Sequence, residues 1–189
     1  MIHRENILSD NMLMKKVIEG DFDKLTLLFE RYKTKLFNYF FRMGSSIYDS
    51  EDMVQDVFYR VLKYRKNFKV TGEFRYWMFF IAHNVFKDYN KKNKKNNHIY
   101  DEMNNSSQNN EDSIESKIIT EESKMELEKI ISKLNKDEKE LLILSKFQGL
   151  KYSEIAKIFN TSESNIKIRI FRTIKKLNKI YRNQKVNIA

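Results

Sequence analysis

Between Phe22 and Phe40 the apolar residues Phe22, Leu25, Leu28, Phe29, Tyr32, Leu36, Tyr39 and Phe40 recur at three- and four-residue steps. That is the period of a helix with one buried face. The pattern opens at Asp21 and closes near Gly44, a residue suited to the left-handed backbone that ends helices. A second run, roughly residues 49–66, sets Met53, Val57 and Val61, with Val54, Phe58 and Leu62, on one side. Its other side carries Asp52, Gln55, Asp56 and Tyr59 at i, i+3, i+4 and i+7, a continuous polar stripe. On its residues alone the stripe reads as a solvated face. After the loop "NFKVTGEF", in which Gly72 is free to take a positive φ, a third helix over about residues 73–91 turns Phe74, Trp77, Met78, Ile81, Val85 and Tyr89 inward.

The pattern then lapses. "NKKNKKNNH" is basic and "NNSSQNNEDS" polar, with almost nothing to bury, so residues 93–117 are predicted to form a flexible linker. "NKDE" at Asn135–Glu138 has the form of a capping box. It opens a helix with Leu141, Leu142, Leu144 and Phe147 that ends at Gly149. Ile155, Ala156 and Phe159 mark a short helix, and "NTS" a tight turn with Thr161 or Ser162 as the next N-cap. Ile166, Ile170, Ile174, Leu177 and Tyr181 then form the buried stripe of a long helix. A short helix, a tight turn and a long basic helix make a helix-turn-helix. The expected fold is all-α: two small helical domains, residues 1–92 and 118–189, joined by the linker, the C-terminal one a helix-turn-helix.

Composition narrows the picture further. Zero prolines and four glycines in 189 residues favour long helices over turn-rich sheet. The absence of cysteine excludes a disulfide framework, a thiolate metal site and a thiol nucleophile. No apolar run is long enough to span a membrane, and "MIHRENILSDNMLMKK" lacks the apolar segment of a signal peptide. A soluble, cytoplasmic protein is expected. Thirty-six Lys and Arg against 26 Asp and Glu, for a net charge of +10, favour a polyanionic partner.

In a helix-turn-helix the second helix enters the major groove and presents residues near its N-terminus to base edges. The candidates are Ser162, Ser164, Asn165, Lys167, Ile168, Arg169, Phe171, Arg172 and Lys175. Lysine can donate to guanine, asparagine can pair with adenine, and apolar groups can meet thymine methyls. Basic residues further along can neutralise phosphates. A helical hairpin packed on protein is the alternative reading of this turn. In the first domain Tyr76, Phe80, His83, Asn84, Lys87 and Lys91 line a face away from the core stripe of their helix. Aromatics, an amide and lysines together suit single-stranded DNA, although Phe80 also suits packing on the N-terminal helix. No further acid joins Asp52 and Asp56 for two-metal hydrolysis. No glycine-rich phosphate loop occurs, and nothing near His83 supplies a ligand set. Neither catalysis nor a metal, cofactor or small-molecule substrate is expected.

Taken in order, three segments resemble a bacterial RNA polymerase sigma factor of the extracytoplasmic-function class. "DSEDMVQDVFYRVLKYRKNF" is similar to the family's D-x-E-D-x-V-Q-[DE]-x-F segment. "GEFRYWMFFIAHNVFKDYNKK" is similar to its F-x-x-W-[LM]-x-x-I-A-x-N helix, and "GLKYSEIAKIFNTSESNIKIRIFRTIKKL" to its helix-turn-helix. The resemblance covers about residues 12–92 and 118–181. It implies that residues 1–92 are sigma region 2 and residues 118–189 region 4. Asp49, Asp52, Gln55, Asp56 and Tyr59 would then dock on core polymerase (its β′ and β subunits), the acids meeting basic groups on the enzyme. Asn67, Phe68 and Lys69 of the loop, with Tyr76, Phe80, His83, Asn84, Lys87 and Lys91, would hold the non-template strand of the minus-ten element. Asn84 falls at the family's base-contacting asparagine. Binding energy for unpaired bases would offset their unstacking, with no catalytic group. The minus-thirty-five contacts would come from the nine helix-turn-helix residues named above. An anti-sigma factor linked to the membrane and a monomeric free state are further expectations from the resemblance.

The chain departs from the family pattern at three places. Ile168 stands where a small polar residue is frequent, Ser145 where an arginine is frequent, and "TSESN" replaces the usual proline and glycine before the recognition helix. Two other classes make different predictions. A helix-turn-helix repressor would act as a two-fold dimer on a pseudo-palindrome without polymerase. A basic single-strand- or RNA-binding module would show high salt sensitivity and little sequence preference.

Overall fold

The computed structural model describes residues 8–97 and 130–186. Four helices build the first lobe: α1 (Asp10–Glu19), α2 (Asp23–Met43), α3 (Ile47–Lys63) and α4 (Phe74–Asn97), with a 3-10 turn at Arg65–Asn67 after α3. Local chemistry sets their ends. Ser9 caps α1 by accepting from the Met12 N–H, and Ser46 caps α3 by accepting from the Asp49 N–H at 3.1 Å. Gly44 closes α2 with a φ of 99°, as its place after the apolar pattern predicts. Leu13, Met14, Leu28, Leu36, Tyr39, Phe40, Phe74, Met78 and Phe79 interlock in the core with no exposure.

Three details differ from the sequence reading. Phe22 precedes α2 and is half-exposed, its ring 5.3 Å from the Arg65 guanidinium. Gly72 takes no positive φ; a Cβ there would lie 3.2 Å from the Lys69 carbonyl oxygen, a tight contact. Helix α4 runs on to Asn97, beyond the point where the linker was expected, since no glycine or proline stops it. The rest of that linker lies outside the described residues.

The second lobe holds α5 (Lys136–Leu142), a π-helical turn (Ile143–Phe147), α6 (Tyr152–Ile158) and α7 (Glu163–Val186). The Asn135 capping box is present: Asn135 Oδ1 accepts from Glu138 N–H at 2.8 Å and Glu138 Oε2 from Asn135 N–H at 3.0 Å. The helix it opens is shorter than predicted. The Gln148 N–H bonds five residues back to Ile143 at 2.9 Å, widening the last turn before Gly149. Asn160, with a φ of 49°, makes the tight turn between α6 and α7. Ile166 and Ile170 are buried, and Ile174 and Leu177 pack partly buried on Ile131, Leu134 and Leu142, but Tyr181 at the end of the predicted stripe is exposed. Leu141, Ile143, Leu144, Leu150 and Ile155 join the first lobe's core in one continuous apolar cluster. Among the described residues no helix is long and apolar enough to cross a membrane.

Candidate nucleic-acid and partner interfaces

On α3 the polar stripe faces outward as its spacing requires. Asp52 and Gln55 are exposed, and Tyr59 is 63% exposed with the Lys63 ammonium 5.8 Å from its ring centre. Asp49 is half-buried: it accepts from the Ser46 hydroxyl at 2.6 Å and from Tyr89, whose pKa is pushed up to about 12 by burial and this bond. Asp56 differs from Asp52. The Arg60 guanidinium pairs with Asp56 at 3.0 Å and with Asp88 on α4 at 2.8 Å. Partial burial opposes the arginine's charge, but the two carboxylates outweigh it and raise its pKa. Asp52 makes no ion pair among the described residues, so the stripe's open negative charge centres on Asp52 rather than Asp56.

The face of α4 is partly as predicted. Tyr76 and Phe80 lie with ring centres 6.4 Å apart, and Phe80 is exposed. Asn84, half-exposed, donates from Nδ2 to the Phe80 carbonyl at 3.0 Å. Lys87 and Lys91 are exposed one and two turns on, as are Asn67 and Lys69 in the loop. Two candidates move inside. Phe68 packs in the core with ring centres 5.3 Å from Trp77 and 6.0 Å from Phe74. The cause is the 3-10 turn, which aims it back under α4. His83 is buried against the second lobe, its Nδ1 2.7 Å from Glu140 Oε1. Neither side chain faces an incoming strand in this arrangement.

Sequence reasoning missed Asn11. Its Nδ2 donates to the Gly72 carbonyl at 2.7 Å and its Oδ1 accepts from the Phe74 N–H at 2.9 Å. One α1 side chain therefore caps α4 and pins the "NFKVTGEF" loop. No local pattern could reveal a partner 63 residues away.

On the helix-turn-helix, Ser162, Ser164, Asn165, Lys167, Arg172 and Lys175 are exposed, as are Ile168 and Phe171 at 50% and 68%. Ser162 Oγ accepts from the Asn165 N–H at 3.2 Å, which makes it the N-cap of α7. The Asn165 side chain donates to Thr161 at 2.9 Å, and Lys167 pairs with Glu163 at 2.9 Å in an exposed contact that a competing phosphate can break. Arg169 turns away from this face. Its guanidinium meets Asp137 at 3.1 Å and lies 5.4 Å from the Phe159 ring centre, so it braces α7 on α5 and α6. Ser145 sits in the π-helical turn, its hydroxyl donating to the Leu142 carbonyl at 3.3 Å. Among the described residues no group of histidine and acidic side chains could hold a metal ion.

A basic helix-turn-helix beside a helical lobe with an outward acidic stripe and an aromatic–amide–lysine face defines a two-lobed, all-helical protein of the helix-turn-helix class among the described residues. Comparison with known families narrows the class. Residues 28–96 match the model for sigma-70 region 2, and residues 124–177 that for sigma-70 region 4. The ECF RNA polymerase sigma factor SigM of Bacillus subtilis is 29% identical over 160 residues, 85% of this chain and 96% of that protein. The RNA polymerase sigma factor YlaC of the same organism is 27% identical over 158 residues, 83% and 91% of the two chains. Among solved structures, CnrH bound to the cytosolic domain of CnrY superposes with a TM-score of 0.69 at 20% identity, over 92% and 97% of the chains. RpoE bound to the anti-sigma factor NepR from Bartonella quintana gives 0.68 at 20% identity, over 83% and 96%. The chain belongs to the sigma-70 family and is an extracytoplasmic-function sigma factor. Its function is to direct RNA polymerase to promoters; the stand-alone repressor reading is not favoured.

Proposed function

We propose a division of labour along the chain in which residues 1–92 dock core polymerase and hold the melted minus-ten strand while residues 118–189 read the minus-thirty-five element. Docking falls to Asp52, Gln55 and Tyr59, with Asp49 and Asp56 held in place by Ser46 and Arg60. The strand lies along Phe80, Asn84, Lys87 and Lys91, with Tyr76 at its far end and Asn67 and Lys69 on the loop. Base edges upstream meet Asn165, Lys167, Ile168 and Phe171, while Arg172 and Lys175 reach phosphates. Ser162 and Ser164 contribute at the start of that helix.

The observation that carries this reading is the separation of the three surfaces. The acidic stripe of α3, the Phe80–Asn84–Lys87–Lys91 part of the α4 face and the first turns of α7 stay open while their opposite sides form the core. Melting then needs no catalytic residue, because stacking and amide contacts to unpaired bases offset the cost of opening the duplex. The protein acts in the cytoplasm, as a monomer before it meets polymerase, and the solved complex of RpoE with the anti-sigma factor NepR supports an anti-sigma partner for this chain. Permanganate footprinting of a cognate promoter with core polymerase tests the reading. Thymines reactive only when wild-type chain is present support it, and duplex binding without any reactive base counts against it.

A further inference from the structure

The outer face of α7 carries an apolar patch in the middle of polar and basic neighbours. Ser164, Ile168, Phe171 and Lys175 follow at four-, three- and four-residue steps and so share one face of the helix. Ile166, Ile170 and Thr173 on the opposite side are buried. Ile168 and Phe171 are the two most exposed large apolar side chains among the described residues of the second lobe. Phe147, by contrast, lies under the Arg42 guanidinium, 4.3 Å from its ring centre. One exposed isoleucine is ordinary on a protein surface. This one sits beside Phe171, among the side chains proposed to meet base edges, with Asn165, Lys167, Arg172 and Lys175 exposed around it.

Ile168 has no donor or acceptor, so it contributes to base reading only through apolar contact. The one methyl group on a base edge in the major groove is the 5-methyl of thymine; guanine, adenine and cytosine present acceptors and donors there. Pressed on those atoms, an isoleucine strips their water and returns no hydrogen bond, which is costly. Pressed on a methyl, it buries apolar surface and gains. Both signs favour thymine. The side chain is also fixed in direction, because branching at Cβ leaves one strongly preferred χ1 in a helix. It therefore marks one base position, where a flexible lysine adapts to several. Phe171 lies three residues on, about 4.5 Å along the helix axis. That is close to the roughly 3.4 Å step between base pairs, so Phe171 reaches the same pair or the adjoining one.

We propose that Ile168 is a specificity determinant of the upstream element, seated on the 5-methyl group of a thymine, with Phe171 closing the apolar contact from the next turn. This assignment holds only with α7 as the major-groove helix, and it names the group recognised at one position of that helix. Promoters served by the chain then share a thymine, on one strand or the other, at a fixed place in the upstream element. Cytosine is disfavoured there, and 5-methylcytosine less so, because it restores the methyl without the rest of the thymine edge.

Deoxyuridine pairs as thymine does and lacks only the 5-methyl group. Promoter fragments that give chain-dependent starts are rebuilt with deoxyuridine at one upstream thymine at a time and titrated with core polymerase carrying the full-length chain. At one position the replacement should raise the apparent Kd by about fourfold, the effect of one buried methyl group. With Ile168→Ser the same replacement should cost nothing. Ile168→Val, which keeps a branched apolar side chain, should retain most of the loss. Residue 168 lies outside the core, so helical circular dichroism should be the same in all forms; Ile168→Ala serves if the serine variant fails to fold. Deoxyuridine without effect at every upstream position, on fragments still preferred over scrambled duplexes, overturns the inference and leaves the groove reading standing. Equal loss in wild type and the serine variant assigns the effect to DNA shape and also overturns it. No preference of the loaded polymerase for the upstream element rejects the groove reading, and the role of Ile168 with it.

Discussion

Arg60 of α3 holds Asp88 of α4 at 2.8 Å and shares its guanidinium with Asp56 at 3.0 Å. One arginine therefore braces two helices and takes up one of the stripe's acids. Asp52, one turn before Asp56, and Gln55, next to it in sequence, remain open. Asp52→Lys combined with Gln55→Ala should weaken binding to core polymerase and leave stability within about 0.5 kcal/mol, as exposed substitutions usually do. Asp56→Asn should affect docking less than the pair does. Co-purification with core at the wild-type level by the double variant would return the stripe to a solvated face.

Asn11 ties the loop before α4 to α1 through Gly72 and Phe74. Asn11→Ala removes a helix cap, which should lower the urea-unfolding free energy by about 1 kcal/mol. The loosened loop should also reduce open-complex yield at saturating enzyme. Unchanged stability would mean that water replaces the side chain without loss.

The two proposed DNA-reading surfaces should fail independently. Asn84→Ala should impair melting and leave binding to the upstream duplex nearly unchanged, since Asn84 lies beside Phe80 on α4. Lys167→Ala should do the reverse. A base-edge contact by Lys167 costs about 1–3 kcal/mol at one base position, whereas a phosphate contact lowers the salt slope by about 1 for all sequences. Equal loss of duplex binding by both variants would contradict the division between the lobes.

Tyr89 supplies a pH test. Burial and the Asp49 bond raise its pKa from 10.0 to about 12. The neutral phenol is the form favoured by folding, so its contribution is complete below pH 10 and is lost as pH rises through 12. Alkaline titration by tyrosinate absorbance should show a late-ionising phenol. Tyr89→Phe should remove that group and flatten the decline of stability in this window. A decline unchanged in the variant would assign it to other phenols, of which Tyr32 and Tyr39 are also shifted upward.

Periodicity carried the helices well, because Met53, Val57 and Val61 or Phe74, Met78 and Ile81 are buried by the same helical repeat that spaces them. The capping box at Asn135 was legible for a similar reason: its chemistry is local. Phe68, His83 and Arg169 were misplaced because their partners (Trp77, Glu140 and Asp137) come from other elements, and no spacing encodes those meetings. His83 is the clearest case. It lies off the core stripe of α4, as its position predicts, yet the second lobe arrives to bury it. The π-helical turn and the shortened α5 likewise answer to packing against α2 rather than to a local signal.

In vitro transcription with purified core polymerase on fragments of the source genome, with start sites mapped in the presence and absence of this chain, addresses the function most directly. Chain-dependent starts should appear, each preceded by two short elements at a common spacing, and Asp52→Lys with Gln55→Ala should suppress them together. Binding of the chain to pseudo-palindromic duplexes as a dimer, with no chain-dependent start on any fragment, would contradict it.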